Sequence, residues 1–362
     1  MESLVQSALA RKINEEKTVC DEDESEKLRL VVLGTGGGGN NTVNRLSRMG
    51  VCGAELIAAN TDAQDLKKLD ESITKILMGP KITRGLGAGG FPEIGGKTAE
   101  ASRRELEEVL AGTHMLFLCA GMGGGTGTGS APVIAEIAKD LGAIVIAIVT
   151  FPFSLERSRL SKARAGISNL RKKADTVVVV DNNKLVEYVP NVPIDQAFLV
   201  ADEIVSRAVK GIVDTIMEPS LINLDFADIK SVLGGGKIAM ISVGEGSGPD
   251  RVQKAVENNL KHPLLDVNYK GATGALIHIT GGENMTIGEA NKVGEELTKG
   301  FNPSAGVTWG ARVDPSYNDK IEVISIVNGV QSANMLGGIE DYSGKDVNVY
   351  SREAEELDIR MI

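Results

Sequence analysis

Two glycine-rich runs, each entered from a mostly apolar stretch, limit what this chain can become. The first is Gly34-Thr35-Gly36-Gly37-Gly38-Gly39-Asn40-Asn41-Thr42, after residues 28–33, apolar except for Arg29. The second is Gly121-Met122-Gly123-Gly124-Gly125-Thr126-Gly127-Thr128-Gly129-Ser130, after residues 115–120. An apolar stretch without polar alternation predicts a strand covered on both faces, as in a parallel α/β sheet. Residues 55–59, 143–150 and 176–180 read the same way, followed by Asn60-Thr61-Asp62, Phe151-Pro152-Phe153 and Asp181-Asn182-Asn183. Polar and glycine residues therefore gather after the strands' C-terminal ends, where open α/β sheets bind ligands. Glycines let backbone N–H groups turn toward an anion, and a helix N-terminus adds partial positive charge. The first run alone fits a dinucleotide-binding loop as well as a triphosphate-binding one. Two such cradles at adjacent strand ends suit a triphosphate better than a pyrophosphate on one helix, and the threonines add hydroxyl donors. Neither of these two runs is followed by Lys-Ser or Lys-Thr, so neither reads as a Walker-type P-loop.

The rest of the chain extends the α/β pattern. Phe198, Ile204, Val205, Ala208, Val209, Ile212 and Ile216 share one face of a helix predicted over 194–217, with Pro193 at its start and Pro219 just beyond. Strands are predicted at 239–244, 275–280, 306–311 and 322–327, with helices near 249–260 and 286–299 between them. The expected organisation is an N-terminal extension 1–27, a nucleotide domain 28–193, a central helix 194–219, a smaller α/β domain 220–333 and a tail 334–362. In the extension, Met1, Leu4, Val5, Ala8 and Leu9 predict a short amphipathic helix, followed by the acidic connector Asp21 to Glu24. A net charge of −10 argues against nucleic-acid partners and anionic membranes. Three scattered cysteines, Cys20, Cys52 and Cys119, suggest reduced thiols in a cytoplasmic chain. His114, His262 and His278 are equally scattered, so no protein-held metal site is expected. No apolar run is long enough for a signal peptide or a membrane span, and no direct membrane insertion is expected.

The GGGTGTG run at 123–129 resembles the signature of the tubulin and FtsZ family. The likeness continues through Asn60-Thr61-Asp62-Ala63-Gln64, residues 83–90, Pro152-Phe153 with Glu156, and Asn223-Leu224-Asp225-Phe226-Ala227-Asp228. Gly271-Ala272-Thr273-Gly274 and Trp309-Gly310-Ala311 extend it, so that residues 28–333 resemble FtsZ, of archaeal type, more than eukaryotic tubulin. The resemblance implies a Rossmann-like GTPase domain joined by a central helix to a smaller α/β domain, and binding of GTP or GDP with Mg²⁺ held mainly through phosphates and water. Gly36, Gly37, Gly38, Asn40, Asn41 and Gly123, Gly124, Gly125, Thr126, Gly127, Thr128 would hold phosphates, beside Asn60 and Asp62. Ala88, Gly89 and Gly90 would sense the γ-phosphate. Glu156 would bind the ribose, Arg159 would lie beside sugar and phosphates, and Asn182, Phe198 and Asp202 would contact guanine. Asn223, Asp225 and Asp228 would act on the GTP of a neighbouring subunit in a head-to-tail homopolymer at mid-cell. The end of the tail, residues 355–362, would dock a membrane-tethering adaptor. Two departures stand out: Pro219-Ser220 precedes Leu221 where the family has Gly, and Glu156-Arg157-Ser158-Arg159 is one residue short and lacks its Gly.

Overall fold

A computed structural model describes residues 28–184, 191–217, 226–233, 237–261 and 271–330. The N-terminal helix, the acidic connector and the tail of the expectations lie outside these residues. The elements in chain order are β1 (Leu30–Thr35), α1 (Gly36–Met49), β2 (Ala54–Asn60), α2 (Ala63–Lys67), β3 (Thr74–Leu77), α3 (Pro80–Thr83), α4 (Pro92–Ala101) and α5 (Arg103–Leu110). Then follow β4 (Met115–Gly121), α6 (Thr126–Asp140), β5 (Ile144–Phe151), α7 (Arg157–Arg171), β6 (Thr176–Asp181) and the long α8 (Ile194–Met217). The last are α9 (Phe226–Leu233), β7 (Lys237–Ser247), α10 (Arg251–Leu260), β8 (Gly274–Gly281), α11 (Ile287–Thr298), β9 (Gly306–Val313), a 3₁₀ turn (Pro315–Tyr317) and β10 (Lys320–Asn328).

The strands form one ten-stranded sheet in the order β3-β2-β1-β4-β5-β6-β7-β10-β8-β9. From β3 to β7 every pairing is parallel, as the uniformly apolar strands predict, and β10 enters antiparallel between β7 and β8. Alternate residues of β1 feed opposite faces. Leu30 and Val32 join a core with Val43 and Leu46 of α1 and Val205, Ala208 and Val209 of α8. Val31 and Leu33 join another with Leu106, Ile134 and Ile167 of α5, α6 and α7. The first of these cores also takes in Leu276, Ile324 and Ile326, so α8 is packed against both halves of the sheet. Each such side chain contributes about 1.5–3 kcal/mol on burial, which makes α8 costly to displace.

Register sets the position of the site. Thr35 pairs with Ala59 on one side and Ala120 on the other, so β1, β2 and β4 release their following loops at one edge of the sheet. One cysteine expectation is corrected: Cys52, half-exposed between α1 and β2, stands in a disulfide bond. Cys119 is a free thiol inside β4, and burial pushes it up to about 12, which makes it inert at neutral pH.

Candidate nucleotide site

Helix α1 begins directly where β1 ends and α6 follows β4 after four intervening residues, and neither has a side-chain cap at its N-terminus. Two other helices do carry one, with Asp62 accepting from Gln64 and Asp65 at α2 and Thr286 forming a capping box at α11, whereas α3, α4, α5, α7 and α10 have none. First-turn N–H groups left without a cap are anion donors, and here two sets lie side by side. The loops touch closely enough that side chains would not fit. A Cβ at Gly36, where φ is 69°, would lie 2.8 Å from the Gly127 nitrogen, and one at Gly38 would lie 3.1 Å from the Gly121 Cα. At Gly37 and Gly124 nothing lies within 4 Å, so the backbone there borders open space of the kind a phosphate needs. Gly125 supports a third segment, since its Cβ would meet the Phe91 nitrogen at 2.8 Å and the Gly90 nitrogen at 3.1 Å. Gly89 and Gly90 have φ of 60° and 79°. Among the described residues, the N–H groups of Ala88, Gly89 and Gly90 donate to no backbone carbonyl.

Hydroxyls brace the cradle. Thr126 Oγ1 lies 2.6 Å from Thr61 Oγ1, and Thr35 Oγ1 lies 2.6 Å from Ser130 Oγ. Thr128 Oγ1 accepts the Gly123 N–H at 2.9 Å, which leaves its own proton to donate. Asp62 is occupied as the cap of α2. Asn60 Oδ1 accepts the Thr61 N–H at 2.8 Å, but its Nδ2 is buried without a partner. Asn40 has both polar side-chain atoms buried without a partner, and Asn182 its Oδ1. Leaving such a group unmet costs about 1–3 kcal/mol, so these three asparagines fit a polar ligand that meets them. Asn41 is exposed at the edge.

Glu156 precedes α7, where its Oε1 accepts the Phe153 N–H at 3.1 Å and its Oε2 accepts from Arg159 at 2.5 Å. Arg159 sits against the second glycine run, because a Cβ at Gly123 would meet its Cβ at 2.8 Å. Arg157 is exposed. On α8, burial pushes the Asp202 carboxyl up to about 7, with Arg45 and a hydrogen bond from Thr42 opposing it. The side chains of Phe198 and Asp228, and residues Asn223 and Asp225 altogether, lie outside what the structure describes.

Three supporting residues escaped sequence reasoning. Asn183 accepts from the Ser154 N–H at 2.7 Å and donates to Asp181 at 2.7 Å, fastening the 152–156 loop to β6. Thr42 offers a hydrogen bond that partly offsets the burial of Asp202, and Lys162 reaches the Gly90 carbonyl at 2.9 Å. Thr42 and Asn183 lie in segments the sequence marks, but the contacts that give them these roles, like that of Lys162, cross the fold and leave no local signal. Among the described residues no cluster of three His, Cys, Asp or Glu side chains is placed to hold a metal ion, and no helix is long and apolar enough to cross a membrane.

Residues 29–190 match the family model of the Tubulin/FtsZ family, GTPase domain, and residues 236–331 match that of the FtsZ family, C-terminal domain. Cell division protein FtsZ 2 of Methanocaldococcus jannaschii is 55% identical over 337 residues, covering 92% of this chain and 88% of that protein. Cell division protein FtsZ 2 of Halobacterium salinarum is 46% identical over 361 residues, covering 99% and 91%. An FtsZ dimer from M. jannaschii superposes with a TM-score of 0.79 at 46% identity, covering 84% of this chain and 88% of that one. With phosphate-type cradles at the strand ends and both family domains in order, this chain belongs to the FtsZ family of cell division proteins, tubulin-like GTPases that bind guanine nucleotides.

Proposed function

We propose that this GTPase assembles head to tail with copies of itself and hydrolyses GTP only where two subunits meet. One observation carries the reading: the cradle is made of N–H and hydroxyl donors, while the carboxylates beside it are already engaged. Asp62 caps α2, and Glu156 accepts from Phe153 and Arg159. A donor cradle binds and orients a triphosphate but does not activate water. The missing acids are assigned to the 223–228 segment of the next subunit. There Asp225 and Asp228, with Asn223, polarise the water that attacks the γ-phosphorus as the bond to the bridging oxygen breaks. Carboxylates kept permanently beside the phosphates would repel them, so delivery on assembly suits the charges. Mg²⁺ fits as an ion held by phosphate oxygens and water, screening that charge.

Exposed apolar side chains near the cradle support this reading. Ile82, Leu86, Phe91 and Leu155 are 47%, 78%, 56% and 91% exposed, an apolar rim around the cradle. The FtsZ of M. jannaschii forms a dimer, and a head-to-tail contact that does not close yields a filament. The same reading places the guanine against Asn182, Phe198 and Asp202 and the ribose at Glu156. It takes 28–193, 194–219 and 220–333 as the working units, and has residues 355–362 recruit a membrane-tethering adaptor at mid-cell. Pro219-Ser220 favours a second reading, a structural filament protein with slow turnover, because Ser fits poorly where a loop needs φ > 0.

GTP hydrolysis against protein concentration, with sedimentation alongside, tests the proposal. Specific activity is expected to rise above a threshold at which pelleting begins, and Asp228→Ala is expected to pellet without hydrolysing. A rate per subunit that stays flat with concentration refutes the shared site. Assembly with turnover that stays low for the wild type supports the slow filament.

A further inference from the structure

Lys162 lies on α7 one turn beyond Arg159 and reaches across the cradle wall to the 88–91 segment. Its Nζ donates to the Gly90 carbonyl at 2.9 Å and stands 5.6 Å from the centroid of the Phe91 ring. The segment needs such a hold. Gly87 N–H donates to Thr61 at 3.1 Å, which pins the entry to the segment, and Phe91 N–H donates to Ala88 at 3.0 Å, which closes a turn over Gly89 and Gly90. Between them Gly89 and Gly90 take left-handed φ, and nothing lies within 4 Å of the Cβ position of Gly90. Two successive glycines meet little steric restriction, so beyond that one turn bond their peptide orientations are weakly selected. A charge-assisted bond to one carbonyl selects among them, strengthened because the aromatic ring shields the ammonium from water on one side.

We infer that Lys162 is a positioning residue which holds the Ala88–Gly90 backbone with its N–H groups toward the γ-phosphate, and thereby sets the preference for GTP over GDP. The inference rests on the reading of Ala88, Gly89 and Gly90 as the γ-phosphate contact. GDP does not reach those amides, so losing the tether should leave GDP binding intact.

The test uses nucleotide-stripped full-length protein, dilute enough to stay monomeric, titrated with GDP and with a non-hydrolysable β,γ-methylene GTP analogue. Lys162→Met keeps the aliphatic stem and removes the donor. It is expected to lower the triphosphate-to-diphosphate affinity ratio roughly ten-fold with GDP affinity unchanged. Lys162→Arg, which keeps a charged donor, is expected to restore the ratio. If both affinities fall together with the melting temperature, Lys162 is only a structural brace and the inference is overturned. An unchanged ratio in Lys162→Met overturns it as well. Should the wild type itself show no preference for the triphosphate, the reading of 88–90 as the γ-phosphate contact fails first, and the inference with it.

Discussion

Replacing Asp202 by Asn is expected to make the nucleotide-free protein more stable while weakening its hold on guanine. Burial raises this carboxyl from 3.8 to about 7. Between those values the folded chain holds a proton that the unfolded chain has released, so stability falls as pH rises, by about 1.4 kcal/mol per unit. Over about 3 units that is about 4 kcal/mol, complete once the pH passes 7. The side chain keeps some contact with water, which recovers part of the penalty, and about 2 kcal/mol is the gain expected of Asn near pH 8. Thermal unfolding of nucleotide-stripped protein should show this as a rise of a few degrees that shrinks toward about pH 5 and vanishes near pH 4. Guanine offers two donors, N1–H and N2–H₂, and Asn presents one acceptor where the carboxylate presents two. Affinity for GDP should therefore fall on the order of a hundred-fold in calorimetric titration. An Asn variant no more stable than wild type near pH 8, or one whose gain is the same at every pH, would refute the reasoning.

Two further perturbations probe the scaffold and the cradle. In the second half of the sheet, Arg251 donates to both carboxylate oxygens of Glu289 at 2.7 and 2.8 Å and to Asn284 at 2.8 Å, chiefly through which Glu289 drops to about 2. Arg251→Met should cost about 3 kcal/mol in urea unfolding at neutral pH. Because the lowered pKa stabilises the fold above the ordinary Glu value, the gap between wild type and variant should close as pH falls from 4.5 toward 2. Gly36→Ala combines a φ of 69° with a Cβ only 2.8 Å from the Gly127 nitrogen. Nucleotide binding should be lost while the circular dichroism of the fold is retained, and an Ala variant that binds normally would show that the two glycine runs need not touch.

Local pattern carried much of the fold. Apolar runs marked β1, β2 and β4 to β6 because these strands are buried on both faces, and the helix over 194–217 stands as Ile194–Met217 because one face must pack on the sheet. The strand Thr74–Leu77 left no such mark: it is an edge strand with only Ile76 buried. Placement of β10 between β7 and β8 was equally invisible, since pairing depends on partners some forty to ninety residues away and not on local period. Within the site, the glycine runs and their helices were legible through backbone chemistry. The contact of Gly125 with the 88–91 segment, the Asn183 clasp and the reach of Lys162 were not, because each is a relation between distant segments.

Asp202 and Glu203 sit side by side on α8 and show how the helix serves both the cleft and the scaffold. Glu203 is buried to 1% exposure, yet Arg45 of α1 donates to it at 2.7 Å and Arg207 of α8 at 3.1 Å. Arg207 continues to Glu245 of β7 at 2.6 Å and comes within 4.0 Å of Glu322 of β10. Two cations offset the burial of that carboxylate, and the same pairs tie the helix behind the first glycine run to both later strands. Asp202 receives only a hydroxyl bond and the residual field of Arg45, a cation already engaged with Glu203. A carboxylate buried without its own cation destabilises a resting protein. It becomes an asset only when a ligand brings donors, and this electrostatic contrast between two neighbouring acids supports the proposal that Asp202, not Glu203, meets the nucleotide.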